Sequence, residues 1–243
     1  MENKKEQYSI LIEKLFTDWK KDEIFLSNFY ADGIVNETIW FENDKFPKIL
    51  YILKEVHETG KNRECNFVKD TDMDVQNGYD KGLFMWRKIA AHARCILEKD
   101  YKFNADEMTN SGTYLKAVNQ IAIINLKKAS GGNDANSQKS MESMSYQWHT
   151  EKYSEFIQRQ IAIISPSIII CCGTFEDCKK HIFMTNDNLA DYDFYFEESP
   201  KAYERFNVFE LNNGCLVFDN DHPSRWLRNI KEDKFVAPLI NSI

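Results

Sequence analysis

The sequence predicts an α/β protein with a single open sheet, whose four-stranded parallel core is flanked by helices. Three observations lead to this prediction. Four short apolar runs are continuous rather than alternating, as in strands that are buried on both faces of a parallel sheet. Segments with the apolar rhythm of helices lie between these runs. Polar side chains then follow each run, at the strand ends where ligands bind in sheets of this kind.

The first half of the core is predicted from two strands and one helix. Residues 1–45 begin with MENKKEQYSILIEKLF, a charged stretch that predicts an amphipathic helix and a helical extension rather than a signal peptide. The run KILYILK, residues 48–54, predicts the first core strand, and IAIIN, residues 121–125, predicts the second. Between them, apolar positions recur every three or four residues in GLFMWRKIAAHARCILEK, residues 82–99, which predicts a helix.

A long polar segment separates this half from the next predicted helix. The stretch ASGGNDANSQKSMESMS, residues 129–145, is longer than most connections, which favours a functional or disordered loop. The helix that follows, residues 150–164, has Thr150 as its N-cap and Pro166 just beyond its end.

The last third of the chain contains two further predicted strands. SIIICC, residues 167–172, leads through Gly173 into a strand-to-helix turn. The acidic segment 186–200 is expected to face away from any phosphate backbone. CLVF, residues 215–218, predicts the fourth core strand, and the tail from residue 224 to 243 is expected to be partly helical.

Composition and charge restrict the class of protein. A chain of 243 residues with 43% hydrophobic residues suits one domain, residues 1–243, with its core at 48–228. The net charge of −7 removes any whole-molecule attraction to nucleic acid, so such a partner would need a local basic groove. No apolar run approaches the ~20 residues of a membrane span. The six Cys form no C-x-x-C pair, which favours buried reduced thiols and a cytoplasmic protein.

The residues that follow the predicted strands are rich in groups that bind or react. Because the carboxyl ends of parallel strands meet at one edge of a sheet, we expect these groups to surround one cleft. In strand order they are Glu55, His57 and Glu58; Asn125, Lys127 and Lys128; and His222, Ser224 and Arg225.

These pieces resemble the motifs of the uracil-DNA glycosylase superfamily. That family carries an acidic or amide motif after its first strand, an Asn after its second, and H-P-S or H-P-A after its last. Here HPSR, residues 222–225, matches the last motif, and IAIINLKK, residues 121–128, matches the strand that ends in the base-reading Asn. QIAIISPSIIICCGTFED resembles the helix, proline, strand and glycine in the middle of the family's domain. The likeness covers residues 48–228.

The first motif departs from the family's order of a Gly, a catalytic position and a Pro. In the stretch LKEVHETG, Lys54 replaces the Gly and His57 replaces the Pro, while Glu55 aligns with the Glu that some branches use to position water. This departure from the family motif affects the prediction of the substrate more than the prediction of the fold. The branch with an iron–sulfur cluster needs a Cys soon after NLKK, but Ala129 and Ser130 stand there, so no cluster is expected.

The resemblance implies that Glu55 and His222 are the catalytic residues. Cleaving a base from deoxyribose creates an oxocarbenium-like sugar and an anionic leaving base. A carboxylate at Glu55 would stabilise the sugar and position water, and His222, held by Pro223, would donate to the base oxygen as a neutral imidazole. The alternatives are a solvated loop carboxylate for Glu55 and, for His222, a histidine that bonds a backbone carbonyl at a helix start.

Four residues are candidates for binding the flipped base. Asn125 offers an acceptor and two donors in one plane, although an Asn at a strand end also commonly caps the next turn. Tyr79 and Phe84 are candidates for the stacking ring, with helix core as the alternative for Phe84. His57 could contact an unusual base or take over the positioning of water.

Five residues are candidates for contact with the DNA backbone because they lie after motif strands. Exposed Lys and Arg are more often only solvated, and the serine could instead cap the following helix. The five are Lys127, Lys128, Ser224, Arg225 and Arg228.

Together these features predict a monofunctional DNA glycosylase that leaves an abasic site, with DNA as its partner and with no cofactor or metal. Uracil is the default substrate, and another modified base, such as one in phage DNA, is a variant. Two other classes stay open. One is a metal-dependent hydrolase that uses Glu55, His57, Asp219, Asp221 and His222 as ligands. The other is a non-catalytic module that binds nucleic acid or a protein partner.

Overall fold

A computed structural model gives the architecture of the chain. It describes residues 2–21, 29–55, 65–69, 75–80, 84–128, 151–183, 194–195, 208–211, 213–226, 229–230, 240 and 243.

Six α-helices lie in the described ranges: α1 Glu2–Trp19, α2 Glu37–Glu42, α3 Phe84–Glu98, α4 Ser111–Val118, α5 Glu151–Ile164 and α6 Phe175–Cys178. Side-chain caps begin two of them. Asn36 accepts from the Ile39 N–H at the start of α2, and Asn110 accepts from the Thr113 N–H at the start of α4. A π-helical turn, Lys179–Phe183, continues α6, and 3₁₀ turns lie at Asp106–Thr109 and Pro223–Arg225.

Eleven strands lie in the same ranges: β1 Tyr30–Ala31, β2 Gly33–Ile34, β3 Ile49–Leu53, β4 Cys65–Asn66, β5 Phe103–Asn104, β6 Ile121–Asn125, β7 Ile168–Cys172, β8 Phe194–Tyr195, β9 Val208–Leu211, β10 Leu216–Asn220 and β11 Asn229–Ile230. The four predicted apolar runs correspond to β3, β6, β7 and β10. The last strand is longer than its apolar run and includes Asp219 and Asn220.

Seven strands form the main sheet in the order β2-β6-β3-β7-β10-β9-β8. The pairs β6–β3, β3–β7 and β7–β10 are parallel, whereas β2 and β9 pair antiparallel with β6 and β10. The predicted α/β class with one open sheet flanked by helices is therefore confirmed, and the sheet is mixed. The short pairs β1–β4 and β5–β11 lie outside it.

Helices cover both faces of this sheet. On one face, which we call the α3 face, Tyr51 and Ile123 pack with residues of α3 and α4. On the other, the α5 face, Ile52 and Ile124 pack with residues of α1, α5 and α6. Every residue of β3, β6 and β7 is buried as a result, which explains why these runs are continuously apolar.

The N-terminal segment is an integral part of the core. Leu15 and Trp19 of α1 have no exposed surface and belong to the cluster on the α5 face. Residues 30–34 are extended rather than helical, and β2 forms an edge of the main sheet. No helix in the described ranges is long and apolar enough to cross a membrane.

Ile169 of β7 has no exposed surface, so Ile169→Ala should leave a cavity in the cluster on the α5 face. The free energy of unfolding should fall by about 2–5 kcal/mol. Urea denaturation measures this change. The matched control is Ile10→Ala on α1, whose side chain is 59% exposed and whose loss should change stability by less than about 0.5 kcal/mol. Equal effects of the two substitutions would contradict the assignment of this core.

Candidate functional site

The strand register brings three predicted site residues to the carboxyl edge of the main sheet. Asn125 is the last residue of β6 and lies opposite Leu53, so Glu55 follows beside it. On β10, Asn220 lies opposite Cys172, and His222 follows two residues later. The strands β6 and β10 are three spacings apart, or about 14 Å at about 4.8 Å each.

Glu55 and Lys127 form an ion pair at this edge. The strands β3 and β6 continue to pair past their ends, because the N–H of Leu126 donates to the carbonyl of Leu53 and the N–H of Lys127 to that of Lys54. The Lys127 ammonium then lies 3.2 Å from Oε2 of Glu55, with both side chains mostly buried. The loop carboxylate is therefore held in place. The expected phosphate contact of Lys127 stays a prediction, and the contact present is with Glu55.

The turn after β10 sets the hydrogen bonding of His222. The backbone N–H of Ser224 donates to Nδ1 of His222 at 3.2 Å, and Oγ of Ser224 lies 2.8 Å from the same nitrogen. Because a backbone N–H only donates, Nδ1 must accept, and the neutral imidazole carries its proton on Nε2. His222 therefore caps the 3₁₀ turn Pro223–Arg225. The residue that caps this turn is His222 and not Ser224, which was predicted as a possible cap, and the predicted phosphate contact of Ser224 stays a prediction.

A buried lysine fixes the same turn from the α3 face. The ammonium of Lys88 donates to the carbonyl oxygens of Pro223 and Ser224 at 3.0 and 3.1 Å. It also lies 5.0 Å from the centre of the Phe84 ring. Sequence reasoning missed Lys88 because a lysine in an amphipathic helix is typical of a solvated face, and its partners are 135 residues away or more.

Gly173 allows the loop after β7 to approach this turn closely. Its φ of +69° is in the left-handed region, and its N–H donates to the carbonyl of Asn220 at 2.6 Å. A Cβ at this position would lie 3.3 Å from the backbone nitrogen of His222. The predicted strand-to-helix turn is present, and its glycine contributes to the packing of the histidine.

Asn125 is held by a buried carboxylate that the sequence did not indicate. Oδ2 of Asp32 accepts from the backbone N–H of Asn125 at 2.7 Å and from its Nδ2 at 3.2 Å. Oδ1 of Asp32 accepts from the Lys128 ammonium at 2.5 Å and from Nε2 of Gln160 at 2.9 Å. Asn125 and Gln160 have no exposed surface, and Asp32 is 3% exposed.

Lys128 does not have the position that the motif predicted for a phosphate contact. Its side chain is 0% exposed, its ammonium pairs with Asp32, and it lies 5.4 Å from the centre of the Trp19 ring. A buried ammonium needs a partner charge, so the ion pair with Asp32 gives this lysine a structural role. The prediction for Lys128 is corrected accordingly.

The two candidate stacking rings differ in their surroundings. Phe84 is partly buried at the first position of α3. The Lys88 ammonium beside its ring also binds the turn at residues 222–225, which we call the histidine turn. Tyr79 is also partly buried, but its ring packs 5.6 Å from that of Tyr114 in α4. Phe84 is thus linked through Lys88 to the carbonyls of Pro223 and Ser224, while both assignments stay predictions.

Arg225 is the last residue of the histidine turn and is exposed. Its side chain is 77% exposed, and its guanidinium lies 3.8 Å from Asp221, which is a weak contact at such exposure. This position leaves the guanidinium accessible to a phosphate. Three other residues named from the sequence, His57, Glu58 and Arg228, lie outside the described residues.

Asn220 is a second buried amide that sequence reasoning missed. It is 2% exposed, and neither polar atom of its side chain has a hydrogen-bond partner among the described residues. Strand alternation from Phe218 places it on the α3 face, the same face as Asn125. In the sequence, the only indication that Asn220 belongs to the site is its position two residues before His222. An Asn at such a position is also typical of a turn.

The described part of the chain contains no cluster of metal ligands such as a metal-dependent hydrolase needs. No group of three or more His, Cys, Asp or Glu side chains there is arranged to hold a metal ion.

Five described cysteines are free and buried, as predicted for reduced thiols. Burial raises the pKa of Cys95 and Cys215 to about 12.

Comparisons of the chain with protein-family models, with curated proteins and with solved structures find no match. The resemblance to the uracil-DNA glycosylase superfamily therefore stays a prediction from the motifs.

Asp219 lies on the other face of β10 from Asn220 and carries an unusual pKa. Burial, followed by the nearby carboxylates of Glu176 and Asp221, raises its pKa from 3.8 to about 6. Between about pH 4 and pH 6 the folded protein keeps a proton that the unfolded chain has released. Stability is therefore lost as the pH rises through this window, and the loss persists above it.

Asp219→Asn should remove this loss. Above pH 6 the variant should be more stable than the wild type, by about 1 kcal/mol once solvent screening is allowed for. Below about pH 4 the two proteins should be equally stable. Thermal unfolding at a series of pH values tests this, with Glu6→Gln on the exposed side of α1 as the control. A stability difference that does not depend on pH would refute the shifted pKa.

Proposed function

We propose that the protein is a monofunctional DNA glycosylase of the uracil-DNA glycosylase type. One observation carries this proposal: Glu55, Asn125 and the histidine of the H-P-S turn all follow or end strands at the carboxyl edge of four adjacent parallel strands. The proposed product is DNA with an abasic site.

His222 would stabilise the leaving base. Its Nδ1 accepts from the Ser224 N–H, so a neutral ring has its proton on Nε2 and can donate to a base oxygen where negative charge develops. Lys88 holds the carbonyls of Pro223 and Ser224, and this fixes the turn before the reaction begins. A donor that needs no rearrangement is most effective in the transition state.

Glu55 would act on the sugar side of the bond. A carboxylate there stabilises the oxocarbenium-like sugar and orients the water that attacks it. The ion pair with Lys127, at 3.2 Å, keeps the carboxylate at the edge of the sheet. Lys127 would then support catalysis through Glu55 instead of contacting phosphates.

The base would leave the DNA stack and bind beside Asn125 at the carboxyl edge of the main sheet. Flipping costs a few kcal/mol, part of which an aromatic ring can recover by stacking. Phe84 is the first candidate for that ring because Lys88 contacts both its face and the histidine turn. Uracil is the default base, and a modified base is the variant that the unusual first motif leaves open.

DNA would be bound by local contacts, because the net charge of −7 opposes a general attraction. Arg225, exposed beside the catalytic histidine, is the described residue best placed for a phosphate. This exposed guanidinium therefore supplies the clearest test of DNA binding.

The activity is tested with oligonucleotides that carry a single uracil, hypoxanthine, or hydroxymethylated or glucosylated cytosine. We expect abasic sites, detected as heat-labile breaks, on at least one substrate and with EDTA present. Loss of activity in EDTA, with recovery on added zinc or magnesium, would favour the metal hydrolase. Binding without any base release would favour the non-catalytic module.

On the substrate so identified, Glu55→Gln and His222→Ala should each lower the single-turnover rate by roughly 100- to 1000-fold. DNA affinity should change little, since each group acts mainly in the transition state. Full activity in both variants would leave the proposed mechanism without its two central residues. Lys127→Ala should share the loss of rate if it acts through Glu55.

Arg225→Ala should lower DNA affinity about equally for all sequences and reduce the slope of log affinity against log salt by about 1. The control is Arg159→Ala on α5, a partly exposed arginine that packs against Phe156 away from the histidine turn. Fluorescence anisotropy over a series of salt concentrations measures both slopes. An unchanged slope for Arg225→Ala would remove this residue from the DNA contact.

A further inference from the structure

We propose that Asp32 is a positioning residue that fixes the orientation of the Asn125 amide and thereby determines which edge of a base the site accepts. This inference rests on the proposed function for its substrate and on the structure for its geometry. Asp32 lies between β1 and β2, far from every motif in the sequence, and reaches Asn125 across a separation of 93 residues.

The geometry permits only one orientation of the amide. A carboxylate accepts hydrogen bonds and does not donate them. Oδ2 of Asp32 already accepts from the backbone N–H of Asn125 at 2.7 Å and lies 3.2 Å from the side-chain nitrogen. If the amide turned over, its oxygen would face this carboxylate oxygen. The NH₂ group is therefore directed to Asp32, and Oδ1 is directed away from it.

Asp32 is itself held in place. The Lys128 ammonium at 2.5 Å and Nε2 of Gln160 at 2.9 Å bind its other oxygen, and Gln160 also donates to its backbone carbonyl at 3.1 Å. The side chains of Asp32 and Lys128 have no exposed surface. This network leaves the carboxylate little freedom to rotate, so the constraint on Asn125 is rigid.

The orientation leaves an acceptor to be satisfied. Oδ1 of Asn125 is buried and has no hydrogen-bond partner among the described residues, although most buried polar atoms have one. A ligand that donates a proton to this oxygen would satisfy it. Bases whose ring nitrogen carries a proton, as in an imide or a lactam edge, can do so. A cytosine-type base bound in the same position would place its N3, a bare acceptor, against this oxygen, so that two acceptors would face each other.

Two double variants separate positioning from a purely structural role. Asp32→Ala/Lys128→Met removes the acceptor and its paired charge, so that the Asn125 amide can turn over. Asp32→Asn/Lys128→Met removes the same charges but keeps a carbonyl oxygen that can accept from Asn125. Both variants lose the buried ion pair, and they differ in the acceptor offered to Asn125.

The first measurement is base release from matched pairs of substrates: uracil against cytosine, and 5-hydroxymethyluracil against 5-hydroxymethylcytosine. The wild type should prefer the member with a ring N–H. Asp32→Ala/Lys128→Met should reduce that ratio by about tenfold or more, the value of roughly one hydrogen bond. Asp32→Asn/Lys128→Met should keep it within about threefold. An equal change in both variants, or a ratio that neither variant alters, overturns the positioning role.

The second measurement is hydrogen exchange of the Asn125 side-chain amide by NMR, with the signal assigned from its loss in Asn125→Ala. In the wild type these protons should exchange at least tenfold more slowly than those of Asn213, which is exposed. Exchange should become faster in the Ala variant than in the Asn variant. This comparison needs no substrate, and its wild-type part needs only Asn125→Ala, the variant used for the assignment, to fold.

The outcomes distinguish this inference from the proposed function. If the wild type releases no base from any substrate, the proposed function and the selectivity fail, while the exchange data still decide whether Asp32 holds Asn125. If bases are released but the cytosine-type member is preferred, the glycosylase stands and the inferred selectivity is overturned. Amide exchange as fast as that of Asn213 overturns the positioning role in either case.

Discussion

The in-register parallel pairing of four adjacent strands, three of them wholly buried, is the constraint on which this structure depends. All residues of β3, β6 and β7 are buried, so helices must cover both faces of the sheet. Polar chemistry is then confined to the strand ends, since a buried polar group inside a strand would lack partners. The register that aligns Leu53 with Asn125 and Cys172 with Asn220 brings those ends into one row.

The buried ion pairs at this edge of the sheet stabilise the fold and also orient the side chains of the candidate site. Asp32 and Lys128 pair with no exposed surface, and Lys127 pairs with Glu55 at a mostly buried site. Removing water from a charge is costly, so each ammonium is held by the acceptors that it meets. Lys88 follows the same rule when it binds the carbonyls of the histidine turn. The interactions that offset the cost of burying these charges thus also hold in place the residues that would act on a substrate.

Much of the fold could be predicted from the sequence because it depends on local patterns. Apolar runs identified four strands of the main sheet, and the H-P-S turn and the glycine after β7 were recognised from short segments. The outer strands β2, β9 and β8 were not predicted, because they are short and their pairing is decided by neighbours far along the chain. Residues 30–34 were expected to be helical for the same reason, since their extended form depends on contact with β6.

The sequence by itself determined the class of fold and the order of the polar residues along the chain, because hydrophobic periodicity and strand ends are local properties. Only the tertiary structure decided which oppositely charged side chains form ion pairs. Lys127 and Lys128 are adjacent in sequence, yet one pairs with Glu55 and the other with Asp32. Neighbouring residues after a strand point in different directions, and whether an ammonium lies in solvent or in the core depends on segments that are distant in sequence.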